Sequence, residues 1–471
     1  MNLELTPVLG QIVRDLRAAG FRALVTGGAV RDALLGVPAK DVDIEVYGIS
    51  YERLAEFLAS YGRVDLVGKS FGVVNFTGSG GAQCHFSVPR RDSKTGLGHR
   101  DFLSTFEDTI TPQEAASRRD FTINALAYDP LTGEVLDFFG GREDLQNRLL
   151  RATTDAFKED PLRVLRGMQF VCRFDLTLDP ATAEMCKSIS DQYSTLAKER
   201  IAEEFMKWAV KSTRPGLIAD YLNETGWLRH FPEIERIRGV PQDPEWHPEG
   251  DVGTHTMHVL NAAACIAERE RLQEDDRAVL LFSALAHDFA KADTTALREK
   301  EGVLRWTSYG HEPAGGPLAR RFLERIGIKS SIVDQVVPLV ENHLAHSSIG
   351  PEVTARGVRR LALRLAPASI LQLVYLIEAD ASGRPPRPPG LPDAAARIRD
   401  MATAQAVEAK PQPPLILGRH VLPYFDGRPG KHIGEVTQAA YEAQTDGEFS
   451  TEEEALIWLE RHMRAINSGA S

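Results

Sequence analysis

A multidomain α+β protein is what the sequence predicts: an N-terminal α/β head with a small mixed sheet, followed by all-α neck, middle and tail regions. Three observations lead there. Runs rich in β-branched and aromatic residues and bounded by glycine (FRALVTGG, DVDIEVYG, GVVNFTG, HFSVP, VLDFFGG) are confined to the first 150 residues or so. Beyond them, apolar residues recur at three- and four-residue spacing, as in PLRVLRGMQFVCRF and KERIAEEFMKWAV. A chain of 471 residues also exceeds what a single core organises, so several domains are expected.

The head, residues 1–150, opens on an amphipathic helical pattern, MNLELTPVLGQIVRDLRAAG, which lacks the basic-then-apolar order of a secretory signal. LVTGG reads as a strand entering a glycine turn, and VRDALLG as a helix that opens at once. Such a junction leaves backbone N–H groups free to face an anion. In KDVDIEV, Asp41 and Asp43 stand at i and i+2 of a strand, so both carboxylates point to one face. There they can share a hard cation such as Mg²⁺. Alone, a GG pair is ordinarily only a turn and a DxD only a solvated strand edge. Found within twenty residues of each other, flanked by Val42, Ile44 and Val46, the two together point to phosphoryl transfer. Between later strands RRDSKTGLGHRDF (90–102) is polar, basic and glycine-containing, and is expected to be a mobile loop.

In the neck, residues 151–235, DPLRVLR places Asp160 as an N-cap and Pro161 in the first turn, a helix-start signal. A third region, 236–390, begins with the turn-rich VPQDPEWHPEGDVG, continues as helices carrying most of the histidines, and ends at the breaker GRPPRPPGLP (383–392), read as an extended spacer. The tail, 391–471, holds KPQPPLILGRHVLPYF and the helical EEEALIWLERHMRA. His255, His287, Asp288, His311, His343 and Asp380 all fall on expected helices or their ends. Imidazoles and carboxylates gathered from several helices are a common way to bind a transition metal, Ni, Mn, Co, Fe or Zn. Any one of these histidines alone is more often a buried or surface histidine. The His287-Asp288 pair inside the apolar LLFSALAHDFAK is different, because adjacent ionisable groups there need a partner to justify their desolvation.

The net charge of −11 argues against a chain that coats nucleic acid indiscriminately, while leaving room for a local basic cleft. Cys84, Cys172, Cys186 and Cys265 are too widely spaced for a zinc knuckle or CxxC pair, and no apolar run is long enough to span a bilayer. A soluble cytoplasmic protein without disulfides or membrane partner is expected.

Four motifs in order, GGAVRDALLG with KDVDIEV (27–46), RRDFTINALAYD (118–129), EDPLRVLR (159–166) and KERIAEEF (198–205), resemble those of class II tRNA nucleotidyltransferases. These are the CCA-adding enzymes and their bacterial poly(A) polymerase relatives, whose head is DNA polymerase beta-like. HDFAK (287–291) and GHE (310–312) resemble an HD phosphohydrolase domain, which some bacterial CCA-adding enzymes carry after the neck. The tail is similar to their C-terminal segment and implies a tRNA contact.

The resemblance implies roles residue by residue. Asp41 and Asp43 would hold two Mg²⁺ ions that activate the 3′-hydroxyl of an RNA primer and stabilise departing pyrophosphate. Gly27, Gly28, Arg31 and Asp32 would form the triphosphate pocket. Arg119 and Asp120 would read the ribose 2′-hydroxyl, with Asn124 of the same motif also at the nucleotide. Asp160 and Arg163, with Arg166, would present acceptor and donors to the Watson–Crick edge of cytosine or adenine, making the protein its own template. Without the other motifs, the residues alone would favour an N-cap and an i,i+3 ion pair. KERIAEEF would brace the neck helices. In the HD region His255, His287, Asp288 and Asp380 would hold one metal, and His311 and His343 a second metal or phosphate. A metal-activated water would then attack a 2′,3′-cyclic phosphate or a phosphate on a damaged tRNA end.

Two departures stand out. The stretch AQCHFSVPRR offers no third carboxylate, so either two carboxylates suffice or Asp92 helps from the loop, and the 90–102 loop differs from the commonest form in the family. Full CCA addition to tRNA from CTP and ATP is the favoured reading. An A-adding enzyme or poly(A) polymerase is the sibling alternative, the latter disfavoured by acidic net charge. From another class comes an HD nucleotide hydrolase with a regulatory N-terminal domain. Oligomeric state is not legible.

Overall fold

The structure is a computed structural model and describes residues 3–38, 42–66, 72–78, 81, 83–94, 102–106, 109–348 and 352–468, with 90–94 and 102–106 entering only through their strand pairing. It forms two compact units, Met1–Phe231 and Pro232–Ser471.

The first unit is built on a seven-stranded sheet. Its strands are β1 (Arg22–Thr26), β2 (Asp43–Tyr47), β3 (Gly62–Asp65), β4 (Val73–Gly78), β5 (Gln83–Ser87), then β8 (Ala127–Asp129) and β9 (Glu134–Leu136), while β6 (Arg90–Lys94) and β7 (Phe102–Phe106) form a separate antiparallel hairpin. The order is β3-β4-β5-β2-β1-β8-β9, antiparallel throughout except for the parallel β2–β5 pair. Alternation in β2 decides where chemistry can occur. Ile44 and Val46 are fully buried in the head core with Val25, Val74 and Phe86, which turns Asp43 and Glu45 to the opposite face. The helix Gly28–Leu34 follows β1 after Gly27, and Pro7–Ala18 covers the core with Leu9, Ile12, Val13 and Leu16.

The expected loop over 90–102 begins instead as strand β6. A strand of alternating polar residues has no apolar face to announce it, and its pairing with β7, Arg90 opposite Phe106, is what fixes it. Residues 95–101 lie outside those described.

Beyond the sheet the unit is helical. Leu162–Phe174 packs on Lys198–Lys211 through Leu165, Met168, Phe205 and Trp208, all fully buried. Phe121 joins head to neck, its ring 5.5 Å from Phe157 and 5.8 Å from Phe170. Gly167 is needed because Tyr221, whose hydroxyl donates to Val164 O (2.8 Å), leaves only 2.2 Å between that oxygen and any added Cβ.

In the second unit Val252–Arg269, Glu274–Ala286, His311–Ile326, Ser330–Glu341 and Ile370–Ser382 form a helical core around Val259, Leu281, Phe322, Val336 and Leu373. An antiparallel hairpin of Ala296–Lys300 and Val303–Thr307 interrupts the helices. The 383–392 stretch, expected as a spacer, is tied to these helices at its start: Gly383 O lies 3.2 Å from His255 Nδ1, and Arg384 pairs with Asp380 at 2.7 Å. A further cluster, Ile416, Val421, Val436, Phe449, Leu459 and Met463, forms the core of the tail. All four cysteines are free, and no single helix among the described residues is long and apolar enough to cross a membrane.

Candidate functional site

In the first unit a cavity of about 510 Å³ opens where β1, β2, the 118–124 segment and the two neck helices meet. Nine cationic side chains and three carboxylates line it, a strongly positive interior in a chain of net charge −11. Polyanions are the ligands that such a cavity favours.

Gly27 takes φ +71, and an added Cβ would stand 2.7 Å from the Arg119 guanidinium, so both backbone conformation and space call for glycine. Gly28 begins a helix of only seven residues, so side chains rather than a helix dipole supply most of the positive field. Arg31 is buried, and donates to Asn124 Oδ1 (2.5 Å) and to Asp32 Oδ1 (2.7 and 2.8 Å). Its guanidinium also lies over the Phe174 ring at 4.6 Å, so the head arginine is locked against the neck. Arg119 lies between Gly27 and Glu45, 3.9 Å from the latter.

Asp43 lines the cavity and is half exposed, paired across the parallel β2–β5 register with His85 (Nδ1 to Oδ1, 3.2 Å). His85 thus stands on the neighbouring strand, in the stretch that offers no third acid. Glu45 is the additional carboxylate on the Asp43 face, and it accepts from the Tyr47 hydroxyl at 2.5 Å. Asp41 and the side chain of Asp92 lie outside the described residues.

Asp120 is buried and accepts from Phe121 N (2.8 Å), Asn124 Nδ2 (2.9 Å) and Arg166 Nε (2.8 Å). Burial alone would raise its carboxyl, but Arg166 and Asn124 outweigh burial and hold it below the ordinary aspartate value. So committed, Asp120 fixes Arg166 and Asn124 at the cavity wall. Asp160 accepts from Leu162 N (3.0 Å) and Arg200 (3.0 Å); the helix takes Pro161 rather than the expected Asp160 at its N-cap, so Asp160 stands one residue before it. Arg163 donates to Ala156 O and Arg118 O, each at 2.7 Å. The i,i+3 ion pair that the spacing allowed is therefore not what holds these two residues, and both edges face the cavity.

Sequence reasoning missed Arg118, Gln169, Phe170, Arg173, Arg200, Lys207 and Lys211 in the same wall. A signal existed: 163, 166, 169, 170 and 173 share one helix face, as do 200, 207 and 211. Glu204 on that second face is buried between Lys207 (2.8 Å) and Arg166 (4.0 Å), bracing the helices as expected for its motif.

A different chemistry gathers in the second unit. His287, Asp288, His311 and His343 converge with His255 and Asp380, all buried. His287 Nδ1–H donates to Ala284 O (2.8 Å), His311 Nδ1–H to Ser308 O (2.6 Å) and His343 Nδ1–H to Val340 O (2.7 Å). With Nδ1 so committed, Nε2 is the nitrogen that each ring leaves for the site. His311 Nε2 and His343 Nε2 are nevertheless only 3.2 Å apart, and 3.4 and 3.9 Å from Asp288 Oδ1. Two imidazole nitrogens and a carboxylate at that separation call for a positive charge among them, a proton or a metal ion. Buried His287 Nε2 and Asp288 Oδ1 also lack a hydrogen-bond partner, which costs about 1–3 kcal/mol per group unless something fills the site, while Oδ2 has Lys291 at 2.8 Å. The donor set fits divalent transition metal: His255, His287 and Asp288 form one group, Asp288, His311 and His343 another, with Asp288 shared.

Burial pushes the Asp288 carboxyl up, but His287 and Lys291 prevail and hold it well below the usual range, so it is available as an anionic ligand. Burial pushes His343 down to about 3, keeping its imidazole neutral. Asp380 Oδ1 lies 3.0 Å from His255 Nε2 and accepts from Arg384 (2.7 Å). His247 and Glu249 were not singled out from sequence, although WHPEG immediately precedes the first helix. Glu249 is 2.7 Å from His255 Nδ1 and 2.9 Å from His247 Nδ1, and its carboxyl falls to about 2: burial opposes the shift, and hydrogen bonds from the two imidazoles outweigh it.

Residues 23–151 match the Poly A polymerase head domain and residues 252–381 the HD domain. The chain is 34% identical over 374 residues to the multifunctional CCA protein of Xanthomonas campestris pv. campestris (strain B100), covering 77% of this chain and 86% of that one. It is also 34% identical over 369 residues to the multifunctional CCA protein of Actinobacillus pleuropneumoniae serotype 5b (strain L20), covering 76% and 85%. Among solved structures, the Bacillus stearothermophilus CCA-adding enzyme in complex with CTP matches with a TM-score of 0.66 at 21% identity, over 99% of this chain and 100% of that one. The Thermotoga maritima CCA-adding enzyme complexed with tRNA ending in CCA gives 0.56 at 17% identity, over 98% and 96%. At those identities the structural matches speak for the fold.

Proposed function

The chain belongs to the multifunctional CCA protein family, and on that premise we propose that it adds CMP and AMP from CTP and ATP to the 3′ end of tRNA without a nucleic-acid template. One observation carries this reading. Motif residues from four separate segments, Gly27, Asp43, Arg119, Asp160 and Arg163 among them, line a single cationic cavity.

Asp41 and Asp43 would hold Mg²⁺, which when bound supplies charge neutralisation at the primer hydroxyl and the departing pyrophosphate. Arg31 and Arg119 bind the triphosphate, and the Asp32 and Asn124 contacts hold Arg31 in place for it. Arg163 and Asp160 are anchored by the backbone and by Arg200, so their remaining donors and acceptors keep a fixed geometry for the base edge. Asp120 acts at one remove, through Arg166 and Asn124.

The second centre supports a phosphohydrolase acting on 2′,3′-cyclic phosphate or phosphate left on a damaged tRNA end. His255, His287, Asp288 and Asp380 would hold a divalent transition metal, with His311 and His343 holding a second ion together with Asp288. Bound metal supplies Lewis-acid polarisation of the phosphoryl group. Lys291, 2.8 Å from Asp288, places a fixed positive charge beside the phosphate position.

Incubation of tRNA lacking its terminal CCA with CTP, ATP or both, with products resolved one nucleotide at a time, tests the transferase reading. Two residues added from CTP alone, and one more once ATP is present, are expected. Failure to use CTP would exclude CCA addition. Addition of one A alone would then identify an A-adding enzyme, and a long A run a poly(A) polymerase.

A further inference from the structure

Of the five tryptophans, only Trp246 (55% exposed) and Trp306 (37%) have large exposed faces, and both line a cavity of about 480 Å³ that reaches His311 and Lys291 of the histidine–aspartate centre. Tyr309, 62% exposed, stands on the same rim. Aromatic faces left in water beside a site for phosphate are costly unless a ligand covers them.

Their placement is fixed. Trp306 lies on the hairpin strand Val303–Thr307, paired with Leu297. The preceding residue, Arg305, bonds Asp243 Oδ2 (3.2 Å) and Glu245 Oε2 (2.6 Å), tying the hairpin to the turn that carries Trp246 and His247. The Arg387 guanidinium lies 5.5 Å from the Trp246 ring centre, and Arg298 lies 5.1 Å from that of Tyr309. Lys291 bridges the same turn to the centre, bonding Gln242 Oε1 (2.9 Å) and lying 2.8 Å from Asp288 Oδ2.

We propose that Trp246 and Trp306 form a base-stacking subsite that takes the unpaired nucleobase of an RNA 3′-terminal nucleotide while its phosphate sits at the histidine–aspartate centre. The proposal rests on the phosphohydrolase reading and adds to it that a nucleotide, rather than any phosphoester, is selected. Stacking tolerates all four bases because each has a π face, which suits ends broken at different positions.

The test uses the full chain loaded with a divalent transition metal and compares 2′,3′-cyclic AMP with glycerol 1,2-cyclic phosphate, which has the same five-membered phosphate ring and no base. In W246A and W306A the ratio of kcat/KM for the nucleotide over the glycerol compound falls about tenfold, mostly through nucleotide KM, and W306F restores most of it. Titration with 2′-AMP quenches tryptophan fluorescence in the unmodified chain and does so less in either variant. An unchanged ratio, or equal loss on both compounds, overturns the subsite and leaves the phosphohydrolase standing. Hydrolysis of neither compound by the unmodified chain removes the phosphohydrolase reading and the subsite with it.

Discussion

Substituting Asp43 with asparagine is expected to lower incorporation of both CMP and AMP by at least about 10³-fold, since loss of a metal-binding carboxylate forfeits several kcal/mol of transition-state stabilisation at 1.36 kcal/mol per decade. Unfolding cannot mimic that result. The Asp43 side chain is 55% exposed and its partner His85 58%, and an exposed pair of this kind contributes about 0–1 kcal/mol to stability. D43N should therefore keep its thermal midpoint and its hydrolysis of 2′,3′-cyclic nucleotides. Measured incorporation within tenfold of the unmodified chain would mean that β2 does not carry the chemistry.

Loss of His287 should produce the opposite separation. A tRNA ending in 2′,3′-cyclic phosphate has no free 3′-hydroxyl, so it becomes a primer only after hydrolysis. With H287A, extension of that substrate should fall at least about 10²-fold, while extension of a tRNA with a free 3′-hydroxyl stays within about twofold. His287 is buried, so its removal could disturb the helices around it. The variant D288N keeps side-chain volume and provides the control, because it removes the carboxylate common to both ligand groups. Equal extension of the cyclic-phosphate substrate by H287A and the unmodified chain would discard the link between the two activities.

How much of this could be read in advance depended on the physics of each element. Strand β2 was legible because buried Ile44 and Val46 impose an alternation that turns Asp43 to the open face, and β1 because its buried apolar run, residues 23–25, ends in a glycine turn. The neck was legible from helical periodicity, with Asp160 bonding Leu162 N at its start. Less visible was the pairing of β6 with β7, since Arg-Arg-Asp-Ser-Lys carries no apolar signal and strand pairing is a long-range event. The hairpin over 296–307 was hidden for the same reason among helices: Leu297, Val303 and Leu304 remain exposed, so no core periodicity marks it.

At the sites, motif residues were found and their supporting shell was not. Asp120 and Arg163 could be named as nucleotide residues, but only coordinates show Asp120 bonded to Arg166 and Asn124, and Arg163 anchored to two carbonyls. Glu249 escaped notice because a carboxylate in a proline- and glycine-rich turn looks solvated. Its burial against His255 arises from a contact that no local pattern encodes.

A crystal soaked with CTP and Mn²⁺, whose anomalous signal locates the ion directly, bears on the transferase reading without recourse to kinetics. An anomalous peak within coordination distance of an Asp43 carboxylate oxygen, the triphosphate against Arg31 and Arg119, and the cytosine edge facing Asp160 and Arg163 is the expected outcome. CTP bound elsewhere, with no ion at Asp43, would contradict it.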